Sequence, residues 1–319
     1  MSRSSIFVFK RYSFNRSARE LKCVYSYEDG PEFHEIYTFN FDFVDYDEAV
    51  LDRALQLLFF MAGVSYYKVF VPDQIRVESG LLDRETADFL DKTYQRGLGE
   101  FFYVNNLDPR TPVNFLVNSD SLPELTVQSG TGKLVGIGGG KDSLVSVDIL
   151  QRAETPFTTW SLNHRPQLGP LVEHIGSQHL WVERAWDKQL LDLKDNSEAY
   201  NGHVPISAIF ACVGTVVAIL SGQRDAIVSN ESSASEPTLR YQGIAINHQY
   251  SKSLEFEQDF QAVLRHNFGD SVRYYSLLRP FSELHIAERF ARIFDMYHDV
   301  FSSCNRAFTH DSHSLFWDG

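Results

Sequence analysis

The sequence predicts an α/β protein: an N-terminal α+β domain over residues 1–125, then a doubly wound parallel-sheet domain over 126–319. Three observations carry this. Aromatic and β-branched runs open the chain and give way to helical periodicity. Beyond about 126, short apolar strands alternate with helical stretches, the pattern of a parallel sheet covered on both faces. At 133–150, KLVGIGGGKDSLVSVDIL leads an apolar strand through three glycines into a helix.

Taken in order, SIFVFKRY, ELKCVYSYED and FHEIYTFNFDFV read as strands from their β-branched and aromatic content and partial alternation. A helix follows at roughly 47–62, with Val50, Leu51, Ala54, Leu55 and Leu58 on one face. Another starts near Asp83 and carries Phe89, Leu90 and Tyr94. No catalytic constellation is legible in this stretch, and its many Tyr and Phe residues read as core or as the wall of a substrate cleft. In the second domain the strands are expected at 134–138, near 157–162, near 179–183 and at 225–229. Helices are expected at 142 to about 153, at 204–220 and at 283–299, the last with Ile286, Phe290, Ile293, Phe294 and Tyr297 on one stripe. There is no internal repeat and no low-complexity linker.

Composition narrows the function. At 319 residues with 43% hydrophobic content, the chain is long enough for about two domains with real cores. A net charge of −13, from 42 acidic and 29 basic residues, disfavours a partner held by its phosphate backbone, so no nucleic acid is expected. Cys23, Cys212 and Cys304 are odd in number and far apart, which points to a reducing compartment and a cytoplasmic protein. The first apolar run has only four residues, too short for an export signal. The apolar stretch at 204–220 is at the lower edge of a bilayer span and holds Pro205, Ser207, Gly214 and Thr215, so it reads as a buried helix, with no membrane partner.

The glycine loop can be tested by counting. A Walker A loop needs Gly five positions before Gly140 and Ser or Thr after Lys141, where Val135 and Asp142 stand. A dinucleotide fingerprint read from Gly136 and Gly138 needs Gly or Ala at 141, where Lys stands. What remains, Gly138-Gly139-Gly140-Lys141-Asp142-Ser143, resembles the Ser-Gly-Gly-x-Asp-Ser loop of the PP-loop ATP pyrophosphatases, with Gly138 in place of the first Ser. That resemblance implies an adenine nucleotide alpha hydrolase-like domain that cuts ATP to AMP and pyrophosphate. The residue types suit the task. Gly139 and Gly140 let backbone amides approach phosphate oxygens, Lys141 offers a cation, and Ser143 offers a hydroxyl at the helix start. Asp142 would repel phosphate unless Mg²⁺ stands between them.

A second polar concentration runs from Ser229 to Glu257. Asn230, Glu231, Ser232, Ser233 and Ser235 leave a strand end, and Asn247, His248, Gln249, Tyr250, Ser251, Lys252 and Ser253 precede a helix-like stretch. Its NESSASE and NHQYSKSLEFE segments, with NGHVP upstream and SCNRAF downstream, resemble the bacterial ATP-dependent UDP-N-acetylmuramoyl-L-alanyl-L-glutamate epimerases. The likeness is strongest over 133–308 and weakest in the N-terminal domain.

The resemblance implies inversion of the terminal L-glutamate of a UDP-muramoyl dipeptide, an isomerase step of peptidoglycan and cell wall synthesis, using ATP and Mg²⁺ without pyridoxal phosphate. Adenylating the carboxylate would explain the ATP. Removing a Cα proton beside a charged carboxylate gathers negative charge where charge already sits, whereas a mixed anhydride can delocalise it as an enolate. The acid/base candidates are His248, Lys252, Tyr250, Glu231 and His203, the last resting on the resemblance. His248 has the pKa best suited to a proton shuttle. Lys252 is alternatively a ligand for the α-phosphate or the substrate carboxylate, and Glu231, like Asp142, a ligand for Mg²⁺.

His164, His174, His179, His266 and His285 have no such neighbours and read as surface or satisfied histidines. Related PP-loop enzymes often end in a cysteine-rich, metal-binding segment, and Cys304 with His310 and His313 is a poor zinc set. Other functions compatible with the loop are an AMP-forming amide or nitrile ligase, a tRNA sulfur transferase, or a nucleotide-binding sensor that no longer turns over.

Overall fold

The computed structural model describes residues 5–302 apart from 29, 126, 128, 194 and 195. Cys304, His310 and His313 lie outside the described residues. The chain opens with an antiparallel meander, β1 (Ile6–Asn15), β2 (Glu20–Tyr27) and β3 (Glu32–Asn40). Helix α1 (Glu48–Ala62) starts where the Asp47 carboxylate accepts the Ala49 and Val50 amides, and α2 (Val64–Tyr67) continues it after one residue. Strand β4 (Gln74–Val77) pairs parallel with β1; α3 (Arg84–Gly97), capped by Asp83, and α4 (Gly99–Val104) follow.

The second stretch alternates strongly: β5 (Gly132–Gly136), α5 (Lys141–Arg152), β6 (Thr158–Leu162), α6 (Arg165–Ile175), β7 (His179–Ala185), α7 (Gln189–Asp192), α8 (Ile206–Ser221) and β8 (Gln223–Val228). After β8 come a 3₁₀ turn (Ser232–Ser235), the hairpin β9 (Leu239–Tyr241) and β10 (Ile244–Ile246), and a second 3₁₀ turn (Tyr250–Lys252). Then follow α9 (Leu254–Phe268), β11 (Arg273–Ser276), α10 (Glu283–Ala291) and α11 (Phe294–Tyr297).

Among the described residues nine strands form one sheet, ordered β11-β8-β5-β6-β7-β3-β2-β1-β4. The five from β11 to β7 are mutually parallel, and β7 pairs antiparallel with β3, so the meander extends the same sheet. At that seam the buried Arg184 of β7 donates to Glu35 of β3, at 2.8 and 3.2 Å, and to Ser65 Oγ of α2 at 2.9 Å. A one-residue slip of β3 against β7 would turn Glu35 to the other face and strand the guanidinium, so the pair specifies register.

Successive strand residues point to opposite faces, and the core divides accordingly. Leu134 and Ala226 join a large core shared with α1, α8 and α9, whereas Val135 and Ile227 join a second core with α5, α6 and α10. This is the doubly wound arrangement expected of the parallel strands. Helix α8 is the apolar 204–220 stretch. Ile209, Val213, Val216, Val217 and Leu220 are fully buried, each contributing about 1.5–3 kcal/mol. Gly214 lets it lie close to β6: a Cβ there would come 3.1 Å from Trp160 Cζ2. The run from Glu48 to Tyr67 is long and apolar enough to cross a bilayer, yet most of it is buried inside the protein.

One expected element differs. The 283–299 helix breaks, because the Arg292 and Ile293 amides donate to the Arg289 and Phe290 carbonyls in tight i→i−3 bonds. The break keeps Ile293 and Tyr297 in the second core beside Ile286 and Phe290.

Candidate functional site

The chain runs β5, β6, β7 in one direction, then places β8 and β11 on the other side of β5. The switch point is therefore between β5 and β8, and in open α/β sheets ligands bind beyond the carboxyl ends of strands at that place. The glycine loop leaves β5 there, and Ser229, Asn230 and Glu231 leave β8. A 2.8 Å hydroxyl contact between Ser146 of α5 and Ser229 ties the two exits together.

Gly139 takes φ +88°, a conformation that disfavours any side chain, and Gly140 is the extended N-cap of α5 with no side chain capping the helix. A Cβ at Gly138 would meet nothing within 4 Å, so the face where the related loops carry Ser is open. Ser143 Oγ donates to the Gly140 carbonyl at 2.9 Å. Lys141, the first helical residue, sits 2.8 Å from Asp142 Oδ1 and 2.7 Å from Glu283 Oε1. Burial pushes the Asp142 carboxyl above its ordinary range; Lys141 opposes this, and Glu283 and Glu231 add to it. Burial also works against the Lys141 ammonium, but its bonds to Asp142 and Glu283 raise its pKa. Among the described residues, Lys141 thus pairs with Asp142 and Glu283, and Glu231 acts on the same Asp142 carboxyl.

The Glu231 segment is held from β11 and α9. The Ser276 hydroxyl donates to the Asn230 carbonyl at 2.6 Å, and Ser232 N donates to the Phe281 carbonyl at 3.0 Å. Arg279 is the hub: it donates to the Glu231 carbonyl at 2.7 Å, to the Lys252 carbonyl at 2.9 Å and to Glu257 Oε2 at 2.7 and 3.0 Å. One guanidinium therefore joins the exit of β8 to the segment carrying His248 and Lys252. Sequence reading missed Arg279, Glu257 and Glu283; the available signal was the short aromatic run RYYS, a strand whose carboxyl end delivers Arg279 to this edge.

The second segment divides. His248 Nδ1 lies 2.6 Å from Thr238 Oγ1, and its Nε2 lies 3.1 Å from Gln249 Nε2. With the Gln249 amide as assigned, Nε2 accepts from Gln249 and Nδ1 faces the Thr238 hydroxyl. Tyr250 turns the other way. It is 4% exposed, its ring meets Phe256, its hydroxyl is buried towards Asp259, and burial followed by Glu255 and Asp259 drives its pKa up. Expected in the acid/base group, Tyr250 stands in the core, because consecutive residues of a tight 3₁₀ turn point in different directions. Lys252, two residues on, remains partly exposed.

His203, at the entry to α8, shares an electrostatic environment with His248 and Lys252. Burial lowers its pKa; Glu100 opposes, and His248, Lys68 and Lys252 reinforce the lowering. Lys68 and Glu100 come from the N-terminal stretch, where the sequence suggested no chemistry.

The remaining histidines have structural partners. His266 bridges Asp83 and Glu85 at 2.5 and 2.8 Å, His179 contacts Thr159, His285 contacts Ser282, the His174 ring packs on Tyr297, and His164 is the left-handed N-cap of α6. Among the described residues no group of three or more His, Cys, Asp or Glu side chains is arranged to hold a metal. A cavity of about 610 Å³, walled by Asp45, Tyr46, Gly130 and Gln223, opens at the amino ends of β5, β8 and β11 and contains none of the candidates.

The family model described as MurL N-terminal domain matches residues 1–277. The chain is 36% identical over 310 residues to the UDP-N-acetyl-alpha-D-muramoyl-L-alanyl-L-glutamate epimerase of Xanthomonas oryzae pv. oryzae (strain MAFF 311018), covering 95% of this chain and 68% of that protein. It is 36% identical over 316 residues to the protein of the same name from Micromonospora sp. (strain ATCC 39149 / NRRL 15099 / SCC 1413), covering 97% and 70%. A third such epimerase, from Salinispora tropica, is 35% identical over 321 residues, covering 97% and 68%. The chain belongs to the MurL family of UDP-N-acetyl-alpha-D-muramoyl-L-alanyl-L-glutamate epimerases.

Proposed function

We propose that this chain is a cytoplasmic, ATP-dependent epimerase that inverts the terminal L-glutamate of UDP-N-acetylmuramoyl-L-alanyl-L-glutamate through carboxylate adenylation and Cα proton exchange, releasing AMP and pyrophosphate. The relatives' names support the substrate and the inversion. The observation that supports the mechanism is Arg279, which couples the exit of β8 to the His248 and Lys252 segment, while the Ser146–Ser229 contact ties that exit to the helix after β5.

The donor set fits an ATP-binding PP-loop domain. The 138–140 backbone, the uncapped start of α5, Lys141 and Ser143 would hold the phosphates. Asp142, a desolvated carboxylate in the field of Glu231, would hold Mg²⁺ together with Glu231, two protein ligands being enough for an ion that keeps waters and phosphate oxygens. When bound, Mg²⁺ would neutralise the phosphate charge that Asp142 otherwise repels. His203 accepts the Cα proton on one face and His248, in its protonated form, delivers one on the other, and Lys252 orients a carboxylate or phosphate oxygen. The first 125 residues form a wall for the sugar-nucleotide portion.

The test is incubation with ATP, Mg²⁺ and the dipeptide substrate in D₂O. AMP, pyrophosphate and D-glutamyl product carrying deuterium at Cα are expected. ADP in place of AMP removes the PP-loop assignment, inversion without ATP removes adenylation, and an inverted product that keeps its original hydrogen removes the exchange step.

A further inference from the structure

The segment before His203 is docked on the N-terminal stretch, among the described residues, by backbone, side-chain and ring contacts, the Tyr200 ring meeting Phe101 edge-on. Tyr200 N donates to the Val69 carbonyl at 2.8 Å, and Asn105 Nδ2 donates to the Asn201 carbonyl at 3.0 Å. Gly202, at φ +150°, lies against Phe101, where a Cβ would come 3.0 Å from the ring. Lys68, just past the end of α2, adds its ammonium, which donates to the Gly202 carbonyl. That ammonium also stands 5.9 Å from the Phe101 ring centroid. Its charge is thus directed at a carbonyl and an aromatic face, and the carbonyl belongs to the peptide unit that leads into His203.

We infer that Lys68 is a positioning residue for His203: it reaches from the N-terminal stretch to fix the 201–203 turn and to set a cation beside the imidazole. The inference rests on the acid/base role proposed for His203. A group that abstracts a proton must begin neutral, and a half-buried cation one residue away penalises the imidazolium. Among the described residues, the titratable and charged groups acting on this imidazole are Glu100 from α4, His248 and Lys252 from the 247–252 segment, and Lys68; of these Glu100 favours the charged form and the others oppose it. Burial in turn lowers the pKa of Lys68 itself, as expected of an ammonium held in the protein rather than in water.

The experiment is an NMR titration of the His203 ring protons, assigned by their loss in His203→Gln, in the full chain. Two variants remove the charge: Lys68→Met keeps the stem, and Lys68→Gln keeps a donor for the Gly202 carbonyl. In both, the His203 midpoint should rise, and kcat for D-glutamyl product should fall about tenfold, with KM for ATP unchanged. Asn105→Ala loosens the same turn without altering charge and should leave the midpoint in place. An unmoved midpoint in either folded Lys68 variant overturns the inference; so does an equal shift in Asn105→Ala, or a shifted midpoint with full turnover. The titration needs neither ATP nor substrate, so its failure is separable from failure of the epimerase proposal, which would show as absent D-glutamyl product in the unmodified chain.

Discussion

Replacing Arg279 by methionine isolates the hub. Arg279 and Glu257 have side chains only 14% and 8% exposed, so the substitution leaves a buried carboxylate without its cation. Breaking such a pair from one side costs about 3–5 kcal/mol. The Ser276 amide still donates to Glu257 Oε1 at 3.2 Å, which places the expected loss near the lower end, about 3 kcal/mol. A domain stabilised by about 5–15 kcal/mol survives that loss. Pairing the change with Glu257→Leu removes the stranded charge and should restore most of the stability, a strongly non-additive cycle. Activity should not return, because the Glu231 and Lys252 carbonyls have lost their common donor in both variants. Urea midpoints at constant m-value and D-glutamyl product formation read the two effects separately. A single variant that loses under about 1 kcal/mol, or a double variant with full turnover, refutes the reasoning.

Other outcomes follow from individual environments. Lys141→Ala or Ser143→Ala should cut AMP formation by about a hundredfold or more while leaving the circular dichroism spectrum unchanged, since Lys141 is partly exposed at the loop and the buried Ser143 bonds within its own turn, to the Gly140 carbonyl; AMP production at the unmodified rate would contradict this. Asp91, which accepts the Phe115 amide at 2.7 Å, has its pKa pushed by burial from an ordinary 3.8 up to about 6. Its folded value lies above its unfolded one, so its charge costs stability at neutral pH, and the cost fades as pH falls from about 6 towards 4. Asp91→Asn keeps an acceptor for Phe115 and should raise stability at pH 7 by about 1–2 kcal/mol, allowing for partial exposure, with no gain at pH 4 in urea titrations. His179 runs the opposite way: burial, reinforced by Arg165, lowers its pKa from 6.5 to about 4, so its contribution is intact above 6.5 and is lost as pH falls from 6.5 through 4. His179→Gln should remove up to about 2 kcal/mol of that acid sensitivity, measured as a flatter dependence of the urea midpoint on pH.

What the sequence disclosed depended on whether a signal was local. The glycine loop was legible because the backbone requirement, the cation and the helix start fall within six consecutive residues, and the structure puts Gly139 at φ +88° there. The helix starts near Asp47 and Asp83 were legible for the same reason, and the structure adds that both carboxylates cap their helices. The β9–β10 hairpin was not: its two-residue turn is Gln242-Gly243 at φ +48° and +81°, and Gln gives none of the warning that Asn or Asp would. Tyr250 looked like a partner for His248 because adjacency in sequence was read as adjacency in space, and a tight turn separates them. Arg279, Glu257 and Lys68 owe their places to pairings across distant segments, which no window of residues contains.

The seam between β3 and β7 gives these long-range placements a common cause. Because the meander continues the parallel sheet, α2 and α4 are carried to where the segment before α8 begins, and Lys68, Phe101 and Asn105 can grip the residues leading to His203. The switch point fixes the other half of the site, since β5 and β8 must end side by side for the loop and Glu231 to meet. Arg279 and Glu257 then lock the His248 and Lys252 segment to that edge. On the proposed mechanism neither stretch alone holds both halves of the site in register: the parallel strands present the glycine loop, and the added strands fix the turn that leads to His203.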